Sequence, residues 1–277
     1  MGSGNAGRGG RPSLWIMEGN MKYTVSSLSF TCLTGSQMAS LPEHFGIEIF
    51  YGWASERYWT ELLKRCYQRE RKSFSIHSPF DFYHMDSEIP DDQLFDYLSE
   101  PFDLYHRFSG THYVVHTDSG GCRKLEEREK ERLRARCMER INRFAEICES
   151  NGIGLVIENV PCPGGSGLFS QKDFTRLFQE NSGLHALYDT GHGNMSGYDV
   201  RKLQAELKGQ LVGYHLHDNF GDSDSHLRIG KGNMDWSAFM KGVKADTPGA
   251  SMVLEYNEAS VSDYEEDRKI LESLVGE

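Results

Sequence analysis

The sequence predicts an α/β protein built as a closed (β/α)8 TIM barrel, and three features carry that expectation. From Lys22 onward, eight short apolar runs alternate with longer amphipathic stretches, the pattern of a parallel sheet with a helix in each crossover. Several runs, such as Gly154-Leu155-Val156-Ile157, are apolar without alternation, as strands covered on both faces must be. The length of 277 residues suits one barrel of about 250 residues. An open doubly wound sheet is the competing architecture, but no G-x-G-x-x-G follows the first strand.

Taken in order, strands are expected at Tyr23–Leu28, Phe45–Phe50, Ser73–His77, Tyr113–His116, Ile153–Glu158, Leu184–Asp189, Leu211–Leu216 and Ser251–Tyr256. Ser55 offers a cap for a helix over Glu56–Arg69, and Pro90 followed by acidic residues opens one over Asp91–Phe108. The charged stretch Arg123–Ser150 reads as a long helix stopped by Asn151-Gly152, because glycine accepts the left-handed conformation of a helix end. Its basic residues interleave with Glu126, Glu127, Glu129 and Glu131, which fits a solvated face with i,i+4 ion pairs better than a nucleic-acid surface. Shorter helices are expected over 170–180, 198–208, 235–244 and 262–274. Pro161–Gly167, directly after the fifth strand, is the clearest loop and would lie over the barrel mouth.

Residues 1–20 are Gly-rich and lack the apolar core of a signal peptide. They read as a flexible leader, with Met21 opening a single catalytic domain over 21–277. Hydrophobic residues make up 38% and aromatics 12%, enough for a large core and too much for a disordered chain. The formal net charge of −11 works against nucleic-acid or anionic-membrane binding, which draws on clustered Lys and Arg. No apolar run approaches the ~20 residues of a membrane span. Cys32, Cys66, Cys122, Cys137, Cys148 and Cys162 form no C-x-x-C pair and read as reduced thiols, so a cytoplasmic protein is expected.

Chemistry concentrates at the strand ends. The third strand closes on His77, the fourth on His116, the fifth on Glu158-Asn159 and the sixth on Asp189-Thr190-Gly191-His192. The seventh gives His215-Leu216-His217-Asp218, and the eighth Leu254-Glu255. Any one of these is more often a hydrogen-bonded structural residue than a ligand. In a barrel, however, parallel strands deliver them to one small volume, where carboxylates packed without a cation repel one another. A divalent metal removes that cost, and mixed nitrogen and oxygen donors suit Zn²⁺, Mn²⁺, Co²⁺ or Fe²⁺ better than Ca²⁺.

The stretch from His215 through Asp224-Ser225-His226 to Gly230-Lys231-Gly232 and Asp235-Trp236 resembles the seventh-strand signature of the xylose isomerase-like superfamily. That superfamily holds sugar phosphate isomerases and epimerases and the related endonuclease IV enzymes. Asp189-Thr190-Gly191-His192 and Ile157-Glu158-Asn159 fit the same pattern, and Phe45-Gly46-Ile47-Glu48-Ile49 resembles its second strand. The resemblance covers nearly the whole chain after the leader. It implies a principal metal site of Glu158, Asp189, His215 and Glu255, with His192 touching substrate or a further metal. It also implies that Glu158 and Glu255 act as catalytic bases on opposite sides of a small carbohydrate, exchanging a proton beside a carbonyl through a metal-bound enediolate.

The trinuclear pattern of endonuclease IV also finds counterparts, adding His77, His116, His192, Asp224 and His226 to the ligand set, so one to three ions are expected. Against phosphodiester cleavage stand a short connection from His215 to Asp224, no Arg between Asp224 and His226, and no basic DNA-inserting loop. A non-catalytic sugar- or metal-binding barrel is a third reading, although a binder needs no paired bases. Trp53, Phe80, Phe82, Tyr83 and Trp236 could form an apolar wall against a sugar, and Arg228 and Lys231 could hold a phosphate or carboxylate. Gly230 and Gly232 are expected to allow a tight backbone path rather than to cradle phosphate. No G-x-S-x-G elbow is present. The expected partners are a small carbohydrate and other copies of the chain, with no membrane and no nucleic acid.

Overall fold

In the computed structural model, eight parallel strands close in chain order into a barrel, β8 returning to pair with β1. Residues 21–30, 32–68, 73–121, 124–165 and 167–276 are described; the leader expected over 1–20 lies outside them. The strands are β1 (Tyr23–Ser26), β2 (Gly46–Phe50), β3 (Phe74–His77), β4 (His112–His116), β5 (Leu155–Glu158), β6 (His185–Asp189), β7 (Leu211–Leu216) and β8 (Ser251–Leu254). Around them lie α1 (Glu56–Cys66), α2 (Asp91–Ser99), α3 (Phe102–Arg107), α4 (Glu127–Asn151), α5 (Gln171–Glu180), α6 (Thr190–Met195), α7 (Val200–Glu206), α8 (Trp236–Asp246) and α9 (Val261–Gly276). Short 3₁₀ segments, Ser27–Phe30 and Cys32–Ser40, fill the first crossover where a full helix would stand. Among the described residues, no helix is long and apolar enough to cross a membrane.

Alternation along each strand sorts side chains between two environments. Ile47, Ile49, Ile76, Tyr113, Ile157, Tyr188, Tyr214 and Leu254 are buried in the main core with the helix residues Leu63, Phe144, Phe178 and Phe239. Val114, Val156 and Leu187 form a separate small cluster. Polar residues occupy other buried strand positions, Glu48, Ser75, His77, His112, Glu158, Asp189 and His215 among them. These polar layers are unusual for a core and mark where the chemistry sits.

Several expected elements differ in detail. The helix expected over Asp91–Phe108 is two, α2 and α3, because Pro101 has no amide to donate and its ring blocks the carbonyl one turn back. The long helix starts at Glu127 and ends at Asn151. There Gly152, at φ 70°, takes the left-handed cap while Ile153 donates to Cys148 O. Ser55 makes no side-chain cap; its hydroxyl donates to Gly52 O instead. Ser170 builds a reciprocal capping box with Asp173 at the start of α5. The loop after β5 is tied to its neighbours, the Cys162 amide donating to Ser196 Oγ and the Gly121 amide to Pro161 O. Cys66, Cys137, Cys148 and Cys162 are buried thiols.

Arg140 departs from the solvated-face reading of α4. It is buried and donates to Asp91 and to the carbonyls of Met85, Ser87 and Ile89. It thereby fixes the β3–α2 connection that lies over the barrel mouth.

Candidate metal centre

Strand register brings the ligands together. His116 pairs with Glu158 across β4 and β5, and Asp189 with His215 across β6 and β7. At the centre, His215 Nδ1 stands 3.3 Å from Glu158 Oε1, 3.4 Å from Glu255 Oε2 and 3.9 Å from Asp189 Oδ2. On one side, His77 Nε2 and His116 Nε2 are 3.0 Å apart and lie 3.4 and 3.5 Å from Glu158 Oε2. On the other side, His192 Nε2 and His226 Nε2 each stand 3.3 Å from Asp224 Oδ2. Donor atoms around a tetrahedral ion with bonds of roughly 2.0–2.1 Å stand about 3.3 Å apart. The distances in the three groups, 3.0–3.9 Å, bracket that spacing.

Hydrogen bonds to the far side of each ring set which nitrogen faces inward. His77 Nδ1 meets Ser78 O at 3.0 Å, His192 Nδ1 meets Asn159 O at 2.8 Å, and His226 Nδ1 meets Glu255 O at 3.1 Å. A carbonyl only accepts, so Nδ1 carries the proton and Nε2 is left for a ligand role, the arrangement that orients metal-binding histidines. His226 sits at φ 44°, in the left-handed region. It is held there by the antiparallel pairing of Asp218 with Leu227 and by the Asn257 amide on its carbonyl. Buried atoms without a hydrogen-bond partner include Glu158 Oε2, His215 Nδ1, Glu255 Oε1 and Asp224 Oδ1. Such orphaned donors are costly unless a cation satisfies them, so the residues fit a metal.

The electrostatics agree with this. Burial pushes the Glu158 carboxyl up, but His215, His116 and His192 outweigh it and hold it well below the ordinary range. For Glu255, burial prevails over the pull of His215 and His226, helped by nearby Glu158 and Asp189, and raises the carboxyl. Burial opposes a charge on His192 and His226. Even so, Asp189, Asp224 and Glu158 hold the first well above its usual value, and Asp224 and Glu255 hold the second at about 9. Burial lowers His116 to about 4. A cation and these protons compete for the same lone pairs.

Each residue singled out in the sequence can now be placed. Glu158, Asp189, His215, Glu255, His77, His116, His192, Asp224 and His226 all join the cluster. Trp53 is exposed and stacks on Tyr97, which also meets Phe82 and Tyr83, while Phe80 packs against His77 and His116. Two further residues are placed by their partners. Arg228 pairs with Asp263, Glu266 and Asp267 of α9, which anchors its loop. Trp236 is buried, its indole donating to Asp218 Oδ2. Asp218 also accepts the Gly230 and Met234 amides, and a Cβ on Gly232 would stand 2.3 Å from Asn219 O, so these glycines serve a tight backbone path.

Sequence reasoning missed three members. His217 Nε2 lies 2.9 and 3.0 Å from the two Asp189 oxygens and its ring stacks on His226 at 3.9 Å. A Cβ on Gly191 would meet the His217 ring at 1.9 Å, which explains the glycine inside Asp189-Thr190-Gly191-His192. Glu48 Oε1 stands 2.8 Å from His215 Nε2, and His112 Nε2 stands 3.1 Å from Glu48 Oε2. The signal for Glu48 was a lone acid amid the apolar run Phe45–Phe50.

A family model described as xylose isomerase-like TIM barrel matches residues 43–274. Among curated proteins, the chain is 27% identical over 140 residues to the uncharacterized protein MJ1311 of Methanocaldococcus jannaschii, covering 49% of this chain and 47% of that one. It is 33% identical over 76 residues to the uncharacterized protein y4fM of Sinorhizobium fredii, covering 27% and 24%. The chain thus spans less than half the length of these relatives. Similar solved structures include a D-tagatose 3-epimerase-like protein, at TM-score 0.75, 21% identity and coverage of 92% and 97%. The TTHB071 protein of Thermus thermophilus, soaked with ZnCl2, gives TM-score 0.70, 20% identity and coverage of 92% and 98%. The IOLI protein with a bound zinc atom gives 0.67, 14%, and 92% and 98%.

Proposed function

The chain belongs to the xylose isomerase-like TIM barrel family, and from that premise we propose a divalent-metal-dependent isomerase or epimerase of a small carbohydrate. The observation that carries this reading is the position of His215 Nδ1, 3.3 Å from a Glu158 oxygen and 3.4 Å from a Glu255 oxygen. Two carboxylates from different strands flank one ligand position. Glu158, Asp189, His215 and Glu255 would hold Mn²⁺, Zn²⁺ or Co²⁺. When bound, such an ion polarises the substrate's carbonyl and hydroxyl oxygens. One glutamate removes the proton from the carbon beside the carbonyl, and the other returns a proton from the opposite face. Both glutamates are about 1% exposed, so their carboxyls act from inside the barrel rather than from its surface. The likeness to a D-tagatose 3-epimerase-like protein, to a protein soaked with ZnCl2 and to one with a bound zinc atom supports the reading.

The test is incubation of the Mn²⁺- or Co²⁺-loaded protein with a panel of ketoses and aldoses in D₂O. Solvent deuterium entering the carbon beside the carbonyl is expected; a panel without incorporation overturns the proposal. A second reading, metal-assisted phosphodiester hydrolysis, is favoured by the two histidine pairs flanking the centre, His77 with His116 and His192 with His226. Several clustered ions suit attack on phosphate, although the net charge of −11 does not favour DNA. Nicking of an abasic duplex in a parallel incubation decides for it.

A further inference from the structure

Beneath the ligand cluster, strand register aligns Glu48 of β2 with Ser75 of β3, and Ser75 with His112 of β4. All three are buried, Glu48 and Ser75 completely. A carboxylate there is expensive unless something requires its charge. Its two oxygens are used differently. Ser75 Oγ donates to Glu48 Oε2 at 2.7 Å, and His112 Nε2 meets the same oxygen at 3.1 Å. The other oxygen, Oε1, is thereby turned toward His215 Nε2, at 2.8 Å.

We infer that Glu48, braced by Ser75 and His112, is a positioning residue that fixes which nitrogen of His215 faces the metal centre and raises its donor strength. The inference rests on the metal-centre reading above. Among the described residues, neither Glu48 Oε1 nor His215 Nε2 has a hydrogen-bond partner, so the contact is one of charge. A buried carboxylate 2.8 Å from Nε2 favours the His215 proton there and the lone pair on Nδ1, the atom that stands between Glu158 and Glu255. His77, His192 and His226 have the reverse orientation, with Nδ1 on a backbone carbonyl and Nε2 inward. The outer nitrogen of His215 has a carboxylate beside it, whereas those of His77, His192 and His226 meet a backbone carbonyl at 2.8–3.1 Å, with Glu158 3.3 Å from His192 Nδ1 and Glu255 3.8 Å from His226 Nδ1 as further neighbours. An anionic partner strengthens a ligating imidazole more than a carbonyl does. The central position therefore depends on Glu48, and the flanking positions do not.

The test measures metal affinity, independently of any sugar. Co²⁺ affinity is read by competition with a chromophoric chelator in a His77→Ala, His226→Ala background, which weakens the flanking groups and keeps the central ligands. Glu48→Gln keeps the shape and removes the charge. It is expected to weaken Co²⁺ binding by about 10–100-fold and to shift the visible Co²⁺ absorption, with the melting temperature of the metal-free protein nearly unchanged. His112→Gln, which keeps a donor toward Glu48, is expected to weaken binding less and carries the test if Glu48→Gln does not fold. Equal affinity and an unchanged spectrum in both variants overturn the inference while leaving the metal centre intact. A parent protein that takes up no Co²⁺, Mn²⁺ or Zn²⁺ overturns the metal-centre reading and the inference with it.

Discussion

His77 Nε2 and His116 Nε2 face each other at 3.0 Å, and both lie within 3.5 Å of Glu158 Oε2. With its Nδ1 proton on Ser78 O, His77 directs its Nε2 lone pair toward the space shared with Glu158. If an ion occupies that space, His77→Ala lowers the metal content by about one ion per chain while the central ion stays. Elemental analysis of protein dialysed against Zn²⁺ reads this directly. An unchanged ion count assigns the pair to substrate or packing.

Glu255 offers the cleaner test of proton transfer, because Glu158 faces both the central position and the His77–His116 pair. Glu255→Gln is expected to slow deuterium exchange by roughly 10²–10⁴-fold, the usual contribution of a general base. Substrate affinity should fall much less. Exchange at the parent rate would limit Glu255 to a structural part in the site.

Arg228 is expected to matter for stability. Its guanidinium meets both oxygens of Asp267, a carboxylate 1% exposed. Arg228→Met leaves that buried charge unpaired and should cost about 3 kcal/mol, roughly 6–12 °C in melting temperature for a chain of this size. A variant that melts normally but binds sugar phosphates poorly would return Arg228 to the role first expected of it.

Burial works against the charge of Asp173, yet Ser170 and Arg134 outweigh it and hold the carboxyl below its usual value. The stabilisation this linkage supplies is present above the unfolded-state value, about 3.9, and disappears as pH falls through the lower folded value. Asp173→Asn should therefore cost about 1 kcal/mol at pH 7 and little near pH 2. Urea unfolding of the metal-free protein at both pH values measures the difference.

Much of this was legible along the chain. The eight apolar runs, the helix stop at Asn151-Gly152 and the titratable residues closing the later strands follow from local composition and periodicity, which fix side-chain type and face. Pro101 was a readable break inside α2–α3, passed over because the apolar pattern continues through it. Tertiary structure alone decided which rungs of neighbouring strands meet, since register is set by how the barrel closes and leaves no mark in any single segment. That is why Glu48 and His112, 64 residues apart, joined the site unannounced. The acidic partners of Arg228 were hidden in the sequence for the same kind of reason. Its guanidinium is captured by acids on α9, a helix whose placement against the seventh-strand loop depends on the packing of the whole barrel.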